Sequence, residues 1–205
     1  MAEVTAHPGP GTSTDRAKAV AQHAATQRGA GFDPSVRHPA VVLIGPPGSG
    51  KSSVGAAIAR STGLLFRDTD TDIERRAGRS IPDIFLEDGE PHFRELERAA
   101  VLEALTEHTG VLALGGGAIL AVETRARLLG HSVVFLNLSM PVGIKRTGLA
   151  VNRPLLAGVN PRATYRALLE ARLVHYRETA RFEVQTDDLS VADVARSIIE
   201  KLELQ

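Results

Sequence analysis

The run Ala40-Val-Val-Leu-Ile44-Gly45-Pro-Pro-Gly48-Ser49-Gly50-Lys51-Ser52-Ser53 decides how the rest of the chain is read. Its first five residues are apolar without a break, which suits a strand covered on both faces. The next eight match GxxxxGK[ST] in full, and residues 50–62 then set Val54, Ala57 and Ile58 on one helical face. Glycines let the backbone wrap so that successive N–H groups point at phosphate oxygens, and the helix N-terminus adds a partial charge of about +0.5. Lys51 can reach the β- and γ-phosphates, and the Ser52 hydroxyl can bind Mg²⁺. A plain strand-to-helix turn needs one or two glycines and no Lys-Ser at fixed offsets. The stretch therefore predicts a nucleotide-phosphate binder, with Gly48, Ser49, Gly50, Lys51, Ser52 and Ser53 at the nucleotide. The chain carries no Asn-Lys-x-Asp guanine reader.

Outward from this motif, Leu64-Leu-Phe66, Val111-Leu-Ala-Leu114, Val133-Val-Phe-Leu136 and the region of Val184 read as further strands. Helical patterns near 71–78, 81–87, 90–108, 122–129, 141–147, 161–178 and 191–203 separate them. This alternation predicts an α/β fold, a five-stranded parallel sheet with helices on both faces. The Gly/Pro/Asn-rich segment 148–160 has the composition of a mobile lid, and its Arg153 could close over a transferring phosphoryl group.

Residues 1–38 differ in texture: Pro8-Gly-Pro-Gly11 and Gly29-Ala-Gly31 flank Ala-rich sequence with little large apolar content. Such a segment cannot offset its ordering entropy, so 1–38 is expected to be a disordered extension and 39–205 the folded domain. It lacks the apolar core of a signal peptide.

Composition narrows the function. Of 205 residues, 24 are Lys or Arg and 24 Asp or Glu, so no excess positive charge marks a nucleic-acid binder. The absence of cysteine excludes disulfides and thiolate chemistry. There is no Trp and little aromatic content for base stacking, and no apolar run near the roughly 18 residues of a membrane span. A soluble cytoplasmic protein with no nucleic-acid or membrane partner is expected.

In an open parallel sheet the ligand lies off the carboxyl ends of the strands. Strand two leads into Asp68-Thr-Asp70-Thr-Asp72, and strand three ends in Gly115-Gly-Gly117. Helix capping accounts for one acidic residue before a helix, and three at alternate positions exceed that need. Phosphoryl transfer needs one carboxylate for Mg²⁺ or its water and another for the acceptor hydroxyl, while Asp72 is expected on the helix surface. The triple glycine is either a flexible turn or a place where backbone closely approaches a ligand. Arg94 and Arg98 lie on a Glu-rich helix whose default is a solvated face. Arg172 falls on an apolar stripe with Leu168, Leu169 and Tyr176, so it is either paired or functional.

Taken together, Gly45–Ser52, Asp68-Thr-Asp70, Gly78-Arg-Ser-Ile81, Asp88-Gly-Glu90, Phe93-Arg94, Leu114-Gly-Gly-Gly-Ala118, Arg146-Thr-Gly148, Arg153-Pro-Leu-Leu156 and Tyr165-Arg-Ala-Leu168 resemble the shikimate kinases over about residues 39–203. The resemblance implies transfer of the ATP γ-phosphoryl group to the 3-hydroxyl of shikimate, by an enzyme expected to be a monomer. It implies Lys51 on the phosphates, Ser52 on Mg²⁺ with Asp68 reaching the ion through water, and Asp70 binding the shikimate hydroxyls as base. Arg94 and Arg172 would grip the carboxylate, with Gly115, Gly116 and Gly117 beside the substrate. Arg153 would be the lid arginine and Arg146 would lie against the adenine. One departure is the acidic Thr186-Asp187-Asp188-Leu189 loop, where many members carry an arginine. The alternatives are another small-acid kinase of this fold, such as a gluconate kinase, and a catalytically silent ATP-binding regulatory protein. The completeness of Lys51, Asp68, Asp70 and Arg153 argues against the silent one.

Overall fold

A computed structural model of the chain describes residues 38–147 and 160–204. The expected N-terminal extension, apart from His38, and the expected lid with Arg153, apart from Asn160, lie outside the described residues. The sheet has five parallel strands in the order β2-β3-β1-β4-β5: β1 Val41–Ile44, β2 Phe66–Asp68, β3 Val111–Ala113, β4 Val133–Asn137 and β5 Phe182–Gln185. Around it run α1 Lys51–Thr62, α2 Thr69–Ala77, α3 Ile81–Glu87, α4 Gly89–Glu107, α5 Val122–Leu128, α6 Met140–Thr147, α7 Pro161–Thr179 and α8 Val191–Leu202.

The unbroken apolar run of β1 has the expected cause. Val41 and Leu43 pack with Val54 and Ile58 of α1 and Val194 and Ile198 of α8. Val42 and Ile44 pack on the opposite face with Val101 and Leu105 of α4, Leu128 of α5 and Tyr176 of α7. Side chains alternate along a strand, so a centre strand coated by helices on both sides has no polar position to spare. A third, smaller cluster of Ile73, Ile84, Phe93 and Ala100 unites α2, α3 and α4.

Strand β2 starts two residues later than the apolar run Leu64–Phe66 suggests. Leu65 is exposed, although its carbonyl already accepts the Val111 N–H at 2.8 Å. As an edge strand, β2 buries only one face: Phe66 lies against Gly55 of α1, where a Cβ would collide with the ring. Its last residue, Asp68, is also the cap of α2, accepting the Asp70 N–H at 3.0 Å. The helix therefore begins at Thr69, earlier than the pattern near 71–78 suggests.

Asp72 is a correction. It is buried rather than on the helix surface, bonded to Arg67 Nε at 2.5 Å and Arg75 at 2.7 Å. Arg67 also reaches Glu103 and Glu107 of α4, and Arg76 joins Glu103. Burial cost alone would exclude Asp72, and the Arg67 guanidinium offsets that cost by supplying charge and donors together. The network ties β2 and α2, which carry Asp68 and Asp70, to α4.

Glu103 shows the network's pH dependence. Bonds from Arg76 and Arg67 hold its carboxyl down to about 2, against 4.5 ordinarily. A depressed carboxyl contributes stability that is complete above the unfolded value and is lost as pH falls towards the folded one. Glu103→Gln is expected to cost about 1 kcal/mol at neutral pH. Denaturant titrations at successive pH values should find the gap to wild type closing between pH 4.5 and about 2.

Candidate active site

The glycine-rich loop uses the backbone freedom that its glycines provide. Gly48 and Gly50 take φ values of 82° and 88°, conformations that side-chain-bearing residues rarely adopt. Helix α1 starts at Gly50 with no side-chain cap, whereas Asp68, Ser80 and Ser190 cap α2, α3 and α8. A helix start without such a cap leaves its first-turn N–H groups to partners outside the helix, a lack that α4 and α5 share. Lys51 Nζ folds back onto the carbonyls of Gly45 at 2.9 Å and Pro46 at 3.3 Å.

A cavity of about 550 Å³ opens beside the loop, lined by Gly48 to Val54 on one side and by Arg146, Thr186 and Leu189 on another. Ser49 and Ser53 are both in its wall, with the Ser49 side chain buried. Arg146 donates to the Thr186 hydroxyl at 3.0 Å and to the Thr186 carbonyl at 2.7 Å. The acidic loop has a structural use here: Asp187 accepts the Ser139 N–H at 2.8 Å. Partial desolvation works against its charge, but the Ser139 bonds outweigh that and hold its carboxyl below the usual range.

At the next strand end, Ser52 Oγ donates to Asp68 Oδ2 at 2.7 Å. Asp68 thus uses one oxygen on Ser52 and the other on its own helix cap, so capping and site chemistry are not alternatives. Between the two acids, the buried Thr69 accepts the Gly115 N–H at 3.0 Å. This bond fastens the end of β2 to the triple-glycine turn.

That turn exists for room rather than flexibility. None of Gly115, Gly116 and Gly117 has a positive φ. A Cβ on Gly115 would stand 2.5 Å from an Asp70 oxygen and 2.7 Å from a Glu97 oxygen, and one on Gly117 would collide with the Arg94 guanidinium. Close approach of the chain's own charged side chains therefore accounts for Gly115 and Gly117, whereas a Cβ on Gly116 would meet only ordinary contacts at 3.4 Å or more.

Arg94 is not on a solvated face, unlike the exposed Arg98. Its side chain is 16% exposed and pairs with Glu97 at 2.6 Å and Glu90 at 2.8 Å. Burial disfavours the Arg94 cation, yet Glu97 and Glu90 outweigh it and raise its pKa. Glu97 is the more deeply buried partner, and burial pushes its carboxyl up despite Arg94. Arg172, also buried, donates to the Gly116 carbonyl at 3.1 Å. Burial lowers its pKa, with Tyr176 acting in the other direction. Two cations and a carboxyl group are thus crowded beside a glycine turn, with Glu97 acting on both arginines.

The structure thus brings together Lys51, Ser52, Asp68, Asp70, Arg94, Gly115, Gly116, Gly117 and Arg172, with Arg146 in the wall of the cavity beside the loop. Sequence reasoning missed Glu97, Thr69 and the hydroxyls of Tyr165 and Tyr176. Glu97 lies three residues after Arg94, a spacing that signals a pair but not a buried one.

Comparison with known proteins is consistent across sequence and structure. The family profile described as shikimate kinase matches residues 47–203. A shikimate kinase of Saccharopolyspora erythraea is 52% identical over 164 residues, 80% of this chain and 94% of that protein. One of Streptomyces avermitilis is 54% identical over 167 residues, covering 82% and 97%. Among solved structures, shikimate kinase from Acinetobacter baumannii in complex with shikimate superposes with a TM-score of 0.78 at 36% identity, covering 82% of this chain and 93% of that one.

The packing around the turn can be tested directly. Gly115→Ala is expected to destabilise the fold by about 1–3 kcal/mol, because a methyl group must displace two carboxylates or the backbone. Urea denaturation measures this loss, and a wild-type midpoint would contradict the close approach.

Proposed function

The chain belongs to the shikimate kinase family and is an ATP-dependent kinase of shikimate, and on that premise we propose how its residues divide the work. One juxtaposition supports the assignment above all. Asp68 bonds Ser52 beside the phosphate loop, and two residues on Asp70 stands against Gly115 in the acid subsite. A single strand end therefore serves both substrates.

Lys51 and the N–H groups of Gly48, Ser49, Gly50, Ser52 and Ser53 hold the ATP phosphates, and Arg146 flanks the adenine. Arg94 and Arg172 bind the shikimate carboxylate, Glu97 keeps Arg94 aimed, and Gly115, Gly116 and Gly117 let the ring approach. Asp70 binds the 3-hydroxyl and accepts its proton as the oxygen attacks the γ-phosphorus. The bond from that phosphorus to the bridging oxygen then breaks, and ADP leaves. Arg153, which lies outside the described residues, is assigned to the transferring phosphoryl group. The Ser52 hydroxyl and the Asp68 carboxylate are hard oxygen donors of the kind Mg²⁺ takes beside substrate phosphates, and Asp68 would act through water. The ion, when bound, neutralises charge on the β- and γ-phosphate oxygens.

The catalytic domain spans 39–205, with 1–38 as an appended extension, and it acts as a cytoplasmic monomer in aromatic amino-acid synthesis. Among the described residues no helix is long and apolar enough to cross a membrane.

Purified protein should form ADP only when shikimate is added, in a coupled assay with Mg²⁺. Asp70→Ala should lower kcat by at least about 100-fold while leaving ATP binding intact. Arg94→Ala should instead raise the KM for shikimate about tenfold or more, since a two-pronged carboxylate contact is lost. Folded protein without shikimate-dependent turnover overturns the assignment, and unchanged kinetics in both variants overturn the residue roles.

A further inference from the structure

The chain contains two tyrosines, Tyr165 and Tyr176, and each is at most 1% exposed. Both lie on α7, eleven residues apart. Eleven residues are close to three turns, so the two rings leave the same face about 16 Å apart along the axis. Arg172 shares that face between them.

A buried phenol must find an acceptor, and many would do. The acceptors here are carbonyls of the two substrate loops. Tyr165 donates to Pro47 in the phosphate loop at 2.9 Å, and Tyr176 donates to Gly116 in the glycine turn at 2.5 Å. Each ring is also fixed in place. A Cβ on Gly143 of α6 would collide with Tyr165, and Tyr176 stacks on Phe135 of β4 at 4.9 Å and 14°.

The peptide group is planar, with its C=O and N–H pointing in opposite directions. A bond that fixes the Pro47 carbonyl also fixes the direction of the Gly48 N–H. A bond that fixes the Gly116 carbonyl likewise fixes the Gly117 N–H. We infer that Tyr165 and Tyr176 are positioning residues, one for each substrate. Tyr165 aims the Gly48 amide at the nucleotide phosphates, Tyr176 aims the Gly117 amide at the acid, and α7 keeps the two aims at a set spacing. This inference rests on the assignment of the two loops to nucleotide and shikimate made above.

Removing only the hydroxyls separates aiming from packing. Calorimetry with ADP and with shikimate, each alone, should find ADP bound about tenfold more weakly by Tyr165→Phe, with shikimate affinity within about twofold of wild type. Tyr176→Phe should give the reverse pattern. A second measurement uses no variant in its readout. Protein labelled with 3-fluorotyrosine has two fluorine resonances, assigned with Tyr165→Phe. ADP should move chiefly the Tyr165 signal and shikimate chiefly the Tyr176 signal. Uncrossed affinities in folded variants, or equal responses of both resonances to either ligand, overturn the inference while leaving the kinase assignment standing. A wild-type chain that binds ADP but no shikimate overturns that assignment, and the Tyr176 half of the inference with it.

Discussion

The site depends on one row of the sheet. Leu43 of β1 is level with Ala113 of β3, and Ala113 is level with Asp68 of β2. Past that row the three strands release the phosphate loop, the glycine turn and the acidic pair side by side. A slip of one residue in the β2–β3 ladder would turn Asp68 towards the opposite face, and one in the β1–β3 ladder would exchange the two apolar coats of β1. The helices on both faces forbid that slip, because Val41 and Leu43 fit one coat and Val42 and Ile44 the other. Register is thus held by the hydrophobic core and sets the geometry of the proposed site.

Around that row the charges are sorted rather than scarce. A formal net charge of zero coexists with a concentrated array: Asp68 on Ser52, Asp70 and Glu97 against Gly115, Arg94 by Gly117 and Arg172 on Gly116. Asp70, Glu97 and Arg94 sit where a backbone turn without side chains makes room for them. Glycine works here as vacated volume, and the volume is filled by ionised groups whose burial is tolerable because partners lie within hydrogen-bond reach.

What the sequence made legible follows from how local each signal is. The strand β1, its loop and α1 were readable because apolar continuity, glycine spacing and Lys-Ser all fall within a dozen residues. The parallel order of alternating elements was readable for the same reason. Strand β2 was read two residues early because its apolar run marks hydrophobicity, while its true extent is set by pairing with β3 on one side only. Asp72 and Glu97 were misjudged because their burial is decided from outside their helices. Asp72 is covered through Arg67 and α4, and Glu97 through its approach to a turn eighteen positions on. The choice between a flexible and a spacious triple glycine likewise needed the side chains that occupy the space.

The edge strand β2 also bears on how the borders of the sheet are protected. Molecules without net charge lack long-range mutual repulsion, so their colloidal behaviour depends on local features. Among the described residues, the two edge strands of this sheet, β2 and β5, are three and four residues long and carry Arg67 and Glu183, each ionically engaged within its own fold. Short, charged borders offer a poor template for strand-to-strand fusion between molecules. Arg67 therefore steadies the acidic strand end from within and helps guard the sheet's border, so edge protection and the placing of Asp68 share a residue.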